Sequence, residues 1–271
     1  MYWLEALFRW THVVAGIAWI GHLFFFNFVN AQLAKSYDAD SKRKVLPELM
    51  PRALYWFRWG AAYTWITGFL LLGVVYYMEG NAPFQLDFVG RGMATGISVA
   101  AIVVVFFVYD VLWKTVKSEK AAATASFLLF VATAFGLSQV YVGRAVFIQL
   151  GALFGTIMAM NVWMRIWPAQ KKIIAGVKGL APAPDASVAA MAGLRSKHNT
   201  YMSVPLVFFM VSNHYSDIFN LNYSWAVASG FVLVGWGVTK LLYLKSASPV
   251  TASFGAPAAT APATAPAAAT K

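Results

Sequence analysis

Long apolar runs, separated by short polar segments, make up most of the chain. A helix rises about 1.5 Å per residue, so about 20 apolar residues cross the hydrocarbon core of a bilayer. Seven runs are long enough to do so. The predicted spans are 3–30, 58–79, 90–113, 121–142, 145–167, 200–218 and 223–244. The pattern therefore predicts an all-α, polytopic membrane helix bundle with about seven transmembrane helices.

Two stretches lack the apolar content of a span. Residues 30–57 are polar and long enough for a helix on the membrane surface, and Pro47 and Pro51 are expected to break it because proline lacks a backbone donor. Residues 247–271 consist mainly of Ala, Pro and Thr, a composition typical of a disordered tail or a linker. The predicted organisation is a transmembrane helical domain over 1–246 and this tail.

The composition supports the membrane interpretation. Hydrophobic residues make up 60% of the chain and charged residues only 11%, whereas soluble domains carry about 25% charged residues. The absence of cysteine excludes disulfides, thiolate metal sites and a covalently attached c-type haem.

The basic residues predict an orientation. The net charge is +11, and of the 21 Lys and Arg residues all but Arg9, Arg91 and Arg144 fall on one side of the predicted spans. Since basic loops stay in the cytoplasm, the N-terminus is expected outside and the C-terminus in the cytoplasm. Anionic lipid headgroups, and not nucleic acid, are the expected partners of this charge.

All four histidines lie in or beside predicted spans, where ionisable residues are site candidates. His12 and His22 are on the first span, and His198 and His214 bracket the sixth. Depth matches His12 with His214 and His22 with His198, and facing histidines can hold a b-type haem. His198 and His214 fall on nearly opposite helix faces unless Pro205 bends the helix. Alternatively, each imidazole bonds a neighbouring helix or lines a polar cavity.

Two further pairs have the spacing of neighbours on a helix. Asn161 and Arg165 are four residues apart and share a face, so together they could hold a flat anionic ligand. Alternatively, Arg165 reaches the headgroups and Asn161 bonds another helix. Asp110 and Lys114 have the same spacing, interpreted as charge compensation near the interface.

Four long strings of polar residues within apolar sequence resemble one known family. They begin at Arg9 (RWTHVVAGIAWIGHLFFFNFVN), Pro51 (PRALYWFRWGAAYTWITG), Gly155 (GTIMAMNVWMRIWPAQKK) and Lys197 (KHNTYMSVPLVFFMVSNHY). The resemblance is to the membrane domain of the bacterial cytochrome c-type urate oxidase, or urate hydroxylase, family. It extends over about residues 1–245.

The resemblance implies an oxidoreductase of purine catabolism, placed as a multi-pass protein in the bacterial inner membrane. Such proteins oxidise urate to 5-hydroxyisourate and pass the electrons to cytochrome c. Typical members continue into a further helix and a cytochrome c domain, whereas this chain ends in the tail 247–271. Electron transfer is then expected to use a separate cytochrome c, unless the activity is absent or the chain is a fragment of a longer protein. The alternative is a non-catalytic haem-binding or structural subunit of an electron-transfer complex.

The resemblance also implies site residues at the matching positions. An arginine and amides would hold the urate anion, a histidine would take the proton lost on oxidation, and a haem would relay the electrons. The predicted sets are His22, Arg165 and His198 for catalysis, Asn27, Asn161, Arg165 and Asn199 for urate binding, and His12 and His214 for a b-type haem iron.

Overall fold

A computed structural model describes residues 2–78, 90–215 and 223–248. Every regular element in these ranges is helical, so the all-α prediction is confirmed. The helices are α1 (Tyr2–Phe24), α2 (Ala31–Ser36), α3 (Ala39–Leu71), α4 (Arg91–Thr115), α5 (Glu119–Val140), α6 (Arg144–Asn161), α7 (Trp167–Val177), α8 (Ala186–Val211) and α9 (Ser224–Ser246). Residues 249–271, which form nearly all of the predicted tail, lie outside the described residues.

Short segments of other helix types join or extend these helices. A π-helical segment, Phe25–Asn30, connects α1 to α2, and another, Leu72–Met78, extends α3. A third, Val162–Ile166, connects α6 to α7, and the 3₁₀ turn Ser212–His214 ends α8. π-helical segments often occur at functional sites, and the third one carries Arg165.

Six helical segments within the described ranges are long and apolar enough to cross a bilayer, and the chain is a multi-pass membrane protein. The segments are Tyr2–Ser36, Ala39–Met78, Arg91–Thr115, Glu119–Val140, Arg144–Val177 and Ser224–Ser246. The sixth predicted span corresponds to α8, which is too polar in its first half to join this set. Its boundaries also differ, since α8 begins at Ala186 and ends at Val211.

The predicted break of the helix at Pro47 and Pro51 was wrong. Instead, α3 runs unbroken from Ala39 to Leu71 and contains both Pro47 and Pro51. The prolines are four residues apart, so the carbonyl groups that lose a partner, those of residues 43 and 47, lie on one face at positions that are at least partly exposed. Solvent-accessible carbonyls lose little when an intrahelical partner is missing, and the helix therefore continues. α8 likewise continues through Pro205.

Aspartate side chains cap the N-terminal ends of α3 and α8. The Asp38 carboxylate accepts a hydrogen bond from the Ser41 backbone N–H at 2.7 Å, and Asp185 accepts one from the Ser187 N–H at 2.8 Å. The backbone hydrogen bond of Ser41 holds the pKa of Asp38 below its ordinary value. Such caps satisfy donors that a helix leaves free in its first turn.

α6 is the central helix of the bundle, and most of its residues are buried. It packs against α3, α4, α5 and α8, whereas α1 packs mainly against α3. Aromatic rings of α5, α6 and α8 meet around it, with Phe130 and Phe154 at a centroid distance of 4.9 Å and Phe154 and Phe209 at 5.9 Å. This core places the polar C-terminal end of α6 between α4 and α8.

The close approach of α8 and α9 at Gly235 leads to a prediction for stability. A Cβ atom at Gly235 would lie 2.7 Å from the Pro205 Cδ, whereas one at Gly237 would meet nothing within 4 Å. We expect Gly235→Ala to lower the free energy of unfolding by about 1–2 kcal/mol, because the proline ring cannot yield. Gly237→Ala should leave it unchanged or raise it by up to about 1 kcal/mol. Thermal unfolding of both variants in one detergent measures this, and equal midpoints would contradict the close contact.

Candidate functional site

A buried carboxylate with three cationic partners lies near the C-terminal end of α4. The Asp110 side chain is only 6% exposed. It accepts hydrogen bonds from Arg165 Nε at 3.0 Å and from Arg165 Nη2, and from Arg195 Nη2 at 3.0 Å. Lys114 Nζ completes the set at 2.6 Å. These four residues, here called the Asp110 cluster, tie α4 to the π-helical segment and to α8.

The Asp110 cluster extends the sequence prediction. The predicted pair of Asp110 and Lys114 is present, but it belongs to a buried group and does not act as simple surface compensation. Arg195, whose side chain is 3% exposed, was missed. Its position three residues before His198 could have indicated a role near the site, because this spacing places both residues on one side of α8.

A chain of hydrogen bonds passes through Tyr109, the residue before Asp110. Asn199 Nδ2 donates to the Met158 carbonyl at 2.9 Å, and Asn161 Nδ2 donates to Asn199 Oδ1 at 2.9 Å. Asn161 Nδ2 also donates to the Tyr109 hydroxyl oxygen at 3.0 Å, and this hydroxyl lies 2.8 Å from His198 Nδ1. The structure thus joins three predicted site residues, Asn161, His198 and Asn199, through Tyr109.

Tyr109 and His198 line a cavity of about 330 Å³ between α4, α5, α6, α8 and α9. Its walls are mainly apolar and aromatic. Prominent lining residues are Tyr109, Trp113, Phe130, Phe154, His198 and Trp236. The Trp113 and His198 rings lie 3.9 Å apart by centroid, which holds the imidazole against the indole. The volume is within the range of about 300–1,000 Å³ that small-molecule sites occupy.

Cationic groups outnumber acidic ones around the cavity. Lys120 and Lys197 contribute to its lining, against Glu119. The Asp110 cluster, which adjoins Tyr109, adds three cations and one carboxylate. A cleft with excess positive charge and low-dielectric walls attracts anions. The arrangement therefore suits a flat, anionic, aromatic ligand with hydrogen-bonding groups at its edge.

One family model matches most of the chain. The model of a family described as urate oxidase N-terminal matches the chain over residues 1–45 and 36–269. The chain belongs to the urate oxidase N-terminal family. The resemblance found in the sequence is thereby confirmed. No curated protein and no solved structure matches the chain significantly.

None of the four residues predicted for urate binding in this urate oxidase N-terminal domain lines the cavity. Arg165 is bound to Asp110, and Asn161 and Asn199 are fully buried behind Tyr109. Asn27 donates to Ser196 Oγ at 2.9 Å. Their role as direct urate ligands stays a prediction; the contacts seen here join helices.

His22, the remaining predicted catalytic residue, lies on another surface. Its Nδ1 is 2.7 Å from the Ala18 carbonyl of its own helix. The ring lines an open, apolar groove between α1 and α3 together with Phe25 and Leu49. The structure therefore does not bring His22 to the cavity that His198 lines.

The two predicted haem ligands are His12 and His214. His12 Nδ1 lies 2.9 Å from the Thr64 carbonyl, and its Cε1 would be 3.0 Å from a Cβ at Gly68, so the ring is packed against α3. His214 is exposed in the 3₁₀ turn after α8. Neither residue lines the cavity beside His198 or the groove beside His22. A b-type haem held by His12 and His214 therefore stays a prediction.

Proposed function

We propose that this urate oxidase N-terminal domain is a membrane oxidoreductase that binds urate in the cavity beside His198 and oxidises it to 5-hydroxyisourate. The observation that carries the proposal is the cavity itself. In a chain of this family, an aromatic cavity contains a histidine and a tyrosine and has an excess of cations around it.

The lining matches the properties of urate. Urate is a flat purine anion with carbonyl oxygens and N–H groups at its edge. Trp113 and the phenylalanines offer faces and edges for packing against a heterocycle. His198 supplies a hydrogen-bonding group, and Lys120 and Lys197 favour the negative charge.

The overall reaction determines how many electrons the partner protein must accept. With substrate and product in the same charge state, urate and one water give 5-hydroxyisourate, two protons and two electrons, and the new C–O bond forms from the water oxygen. Each cytochrome c haem accepts one electron, so two cytochrome c molecules are reduced for each urate. We propose a separate cytochrome c as this acceptor.

We also propose that the protein lies in a bacterial inner membrane with the cavity on its cytoplasmic side. The cavity is lined by Lys120 and Lys197, which lie on the side of the bundle that carries most of the basic residues. By the rule that basic loops stay inside, this side faces the cytoplasm of a bacterial inner membrane. Urate would then reach the cavity from the cytoplasm.

The direct test uses the full chain in detergent or nanodiscs with oxidised cytochrome c, without dioxygen. We expect cytochrome c reduction that depends on urate, with about two haems reduced per urate consumed, followed by visible and ultraviolet absorbance. Matched samples without urate, and with xanthine in its place, are the controls. A folded, helical preparation that reduces no cytochrome c would reject the enzyme and favour the non-catalytic subunit.

A further inference from the structure

The hydrogen-bond chain that ends at His198 has a defined direction. A main-chain carbonyl can only accept, so the group of Asn199 that faces the Met158 carbonyl at 2.9 Å must be its NH₂. The Asn199 Oδ1 is therefore the atom turned towards Asn161, and it requires a donor. Asn161 Nδ2 supplies that donor at 2.9 Å.

The same constraint passes from Asn161 to Tyr109. With its NH₂ turned to Asn199, Asn161 uses its second amide hydrogen for the Tyr109 oxygen at 3.0 Å. A reversed Asn161 amide would set its oxygen against Asn199 Oδ1, which is repulsive. The Tyr109 oxygen thus accepts from Asn161, and the hydroxyl hydrogen is free to be donated.

His198 receives that hydrogen. Its Nδ1 lies 2.8 Å from the Tyr109 oxygen, and in the part of the chain that the structure describes it is the acceptor found beside this hydroxyl. An Nδ1 that accepts carries no proton, so the hydrogen of the neutral imidazole resides on Nε2. The Trp113 ring, 3.9 Å away by centroid, packs against the imidazole and limits its rotation.

We propose that His198 presents a fixed Nε2–H donor to the cavity and binds a carbonyl or anionic oxygen of the ligand. The proposal rests on the proposed function for the identity of that ligand as urate. Tyr109, Asn161 and Asn199 are positioning residues that set the tautomer. His198 then holds an oxygen of the purine, and does not take the proton lost on oxidation, because its Nε2 is already protonated.

The tautomer can be measured without any ligand. Protein labelled with ¹⁵N in its histidine rings gives separate signals for protonated and unprotonated ring nitrogens, and His198→Gln identifies which of the four histidines is His198. We expect an unprotonated Nδ1 and a protonated Nε2 in the wild type. Tyr109→Phe should yield a mixture of both tautomers. Tyr77→Phe is the control, because the Tyr77 hydroxyl bonds Ser98 and not a histidine, and it should leave the His198 signals unchanged.

Two outcomes of this experiment would overturn the proposal. One is a wild-type His198 with the proton on Nδ1. The other is a wild-type tautomer that persists unchanged in folded Tyr109→Phe. Neither outcome depends on urate, so this arm remains decisive if the proposed function fails.

Urate kinetics test the donor role. The amide nitrogen of glutamine can replace a histidine Nε2–H, but glutamine cannot accept a proton as a base. If His198 is a donor, His198→Gln should keep the KM for urate close to that of the wild type, and His198→Leu should raise it roughly tenfold or more. An active wild type with an inactive but folded His198→Gln would contradict the donor role and favour a base.

Discussion

Replacing Asp110 with asparagine is expected to lower the free energy of unfolding by about 3–5 kcal/mol, because it leaves buried cations without their counter-charge. Arg195 is the critical partner, since its side chain is only 3% exposed. Arg165 and Lys114 also converge on this carboxylate. The neutral amide would have to face three positive groups that repel one another.

The matched control is Asp40→Asn. Asp40 forms an ion pair with Lys44 at 2.7 Å, but both side chains are well exposed, and such pairs contribute about 1 kcal/mol or less. Lys114→Ala is a second control, because it leaves Asp110 with both arginines. Thermal unfolding in one detergent, with size-exclusion profiles, compares the variants. Equal midpoints for Asp110→Asn and Asp40→Asn would show that the carboxylate is not needed to balance the cluster.

The apolar runs predicted helices α4, α5, α6 and α9 well, and the physical reason is simple. Span length is set by bilayer thickness, and transfer of apolar residues from water dominates the free energy of these segments. The apolar pattern could not predict where α8 begins, nor that α3 continues through its two prolines. Each depends on polar residues that pack or remain solvated in a way that hydropathy does not record.

The members of the candidate site were predictable in part, but their contacts were not. The family resemblance named Asn161, His198 and Asn199, and the structure joins them through Tyr109. Which side chains meet also depends on the rotation of each helix about its axis. Arg165, for example, binds Asp110, and His12 contacts Thr64. Tyr109 was missed because an aromatic residue in an apolar run resembles any other core residue.

Adjacent residues of α4 link stability with chemistry. Asp110 holds the arginines of the π-helical segment and α8, while Tyr109 contacts His198 at the cavity. The Arg195 guanidinium also lies 5.0 Å from the Tyr109 ring centroid. A loss of the carboxylate would therefore disturb the tyrosine that sets the His198 tautomer. Residual folded Asp110→Asn protein should show altered His198 nitrogen signals.

Filling the cavity should strongly reduce urate oxidation while the bundle stays folded. Ala123 of α5 lines the cavity and is only partly buried, so a larger side chain there can extend into the space beside His198. We expect Ala123→Trp to reduce urate-dependent cytochrome c reduction by about a hundredfold or more, since small misplacements of a substrate have effects of this size. The Asp110 cluster and the hydrogen-bond chain are untouched by this change.

The control for added bulk is Ala132→Trp on the same helix. Ala132 is exposed and does not line the cavity, so its tryptophan would lie against lipid, where apolar aromatic residues are tolerated. Activity should remain near that of the wild type, and both variants should share its unfolding midpoint within a few degrees. If Ala123→Trp oxidises urate with an unchanged KM and rate, the substrate must bind elsewhere. The groove beside His22 would then be the next site to fill, by Gly21→Trp, because a Cβ at Gly21 meets nothing within 4 Å.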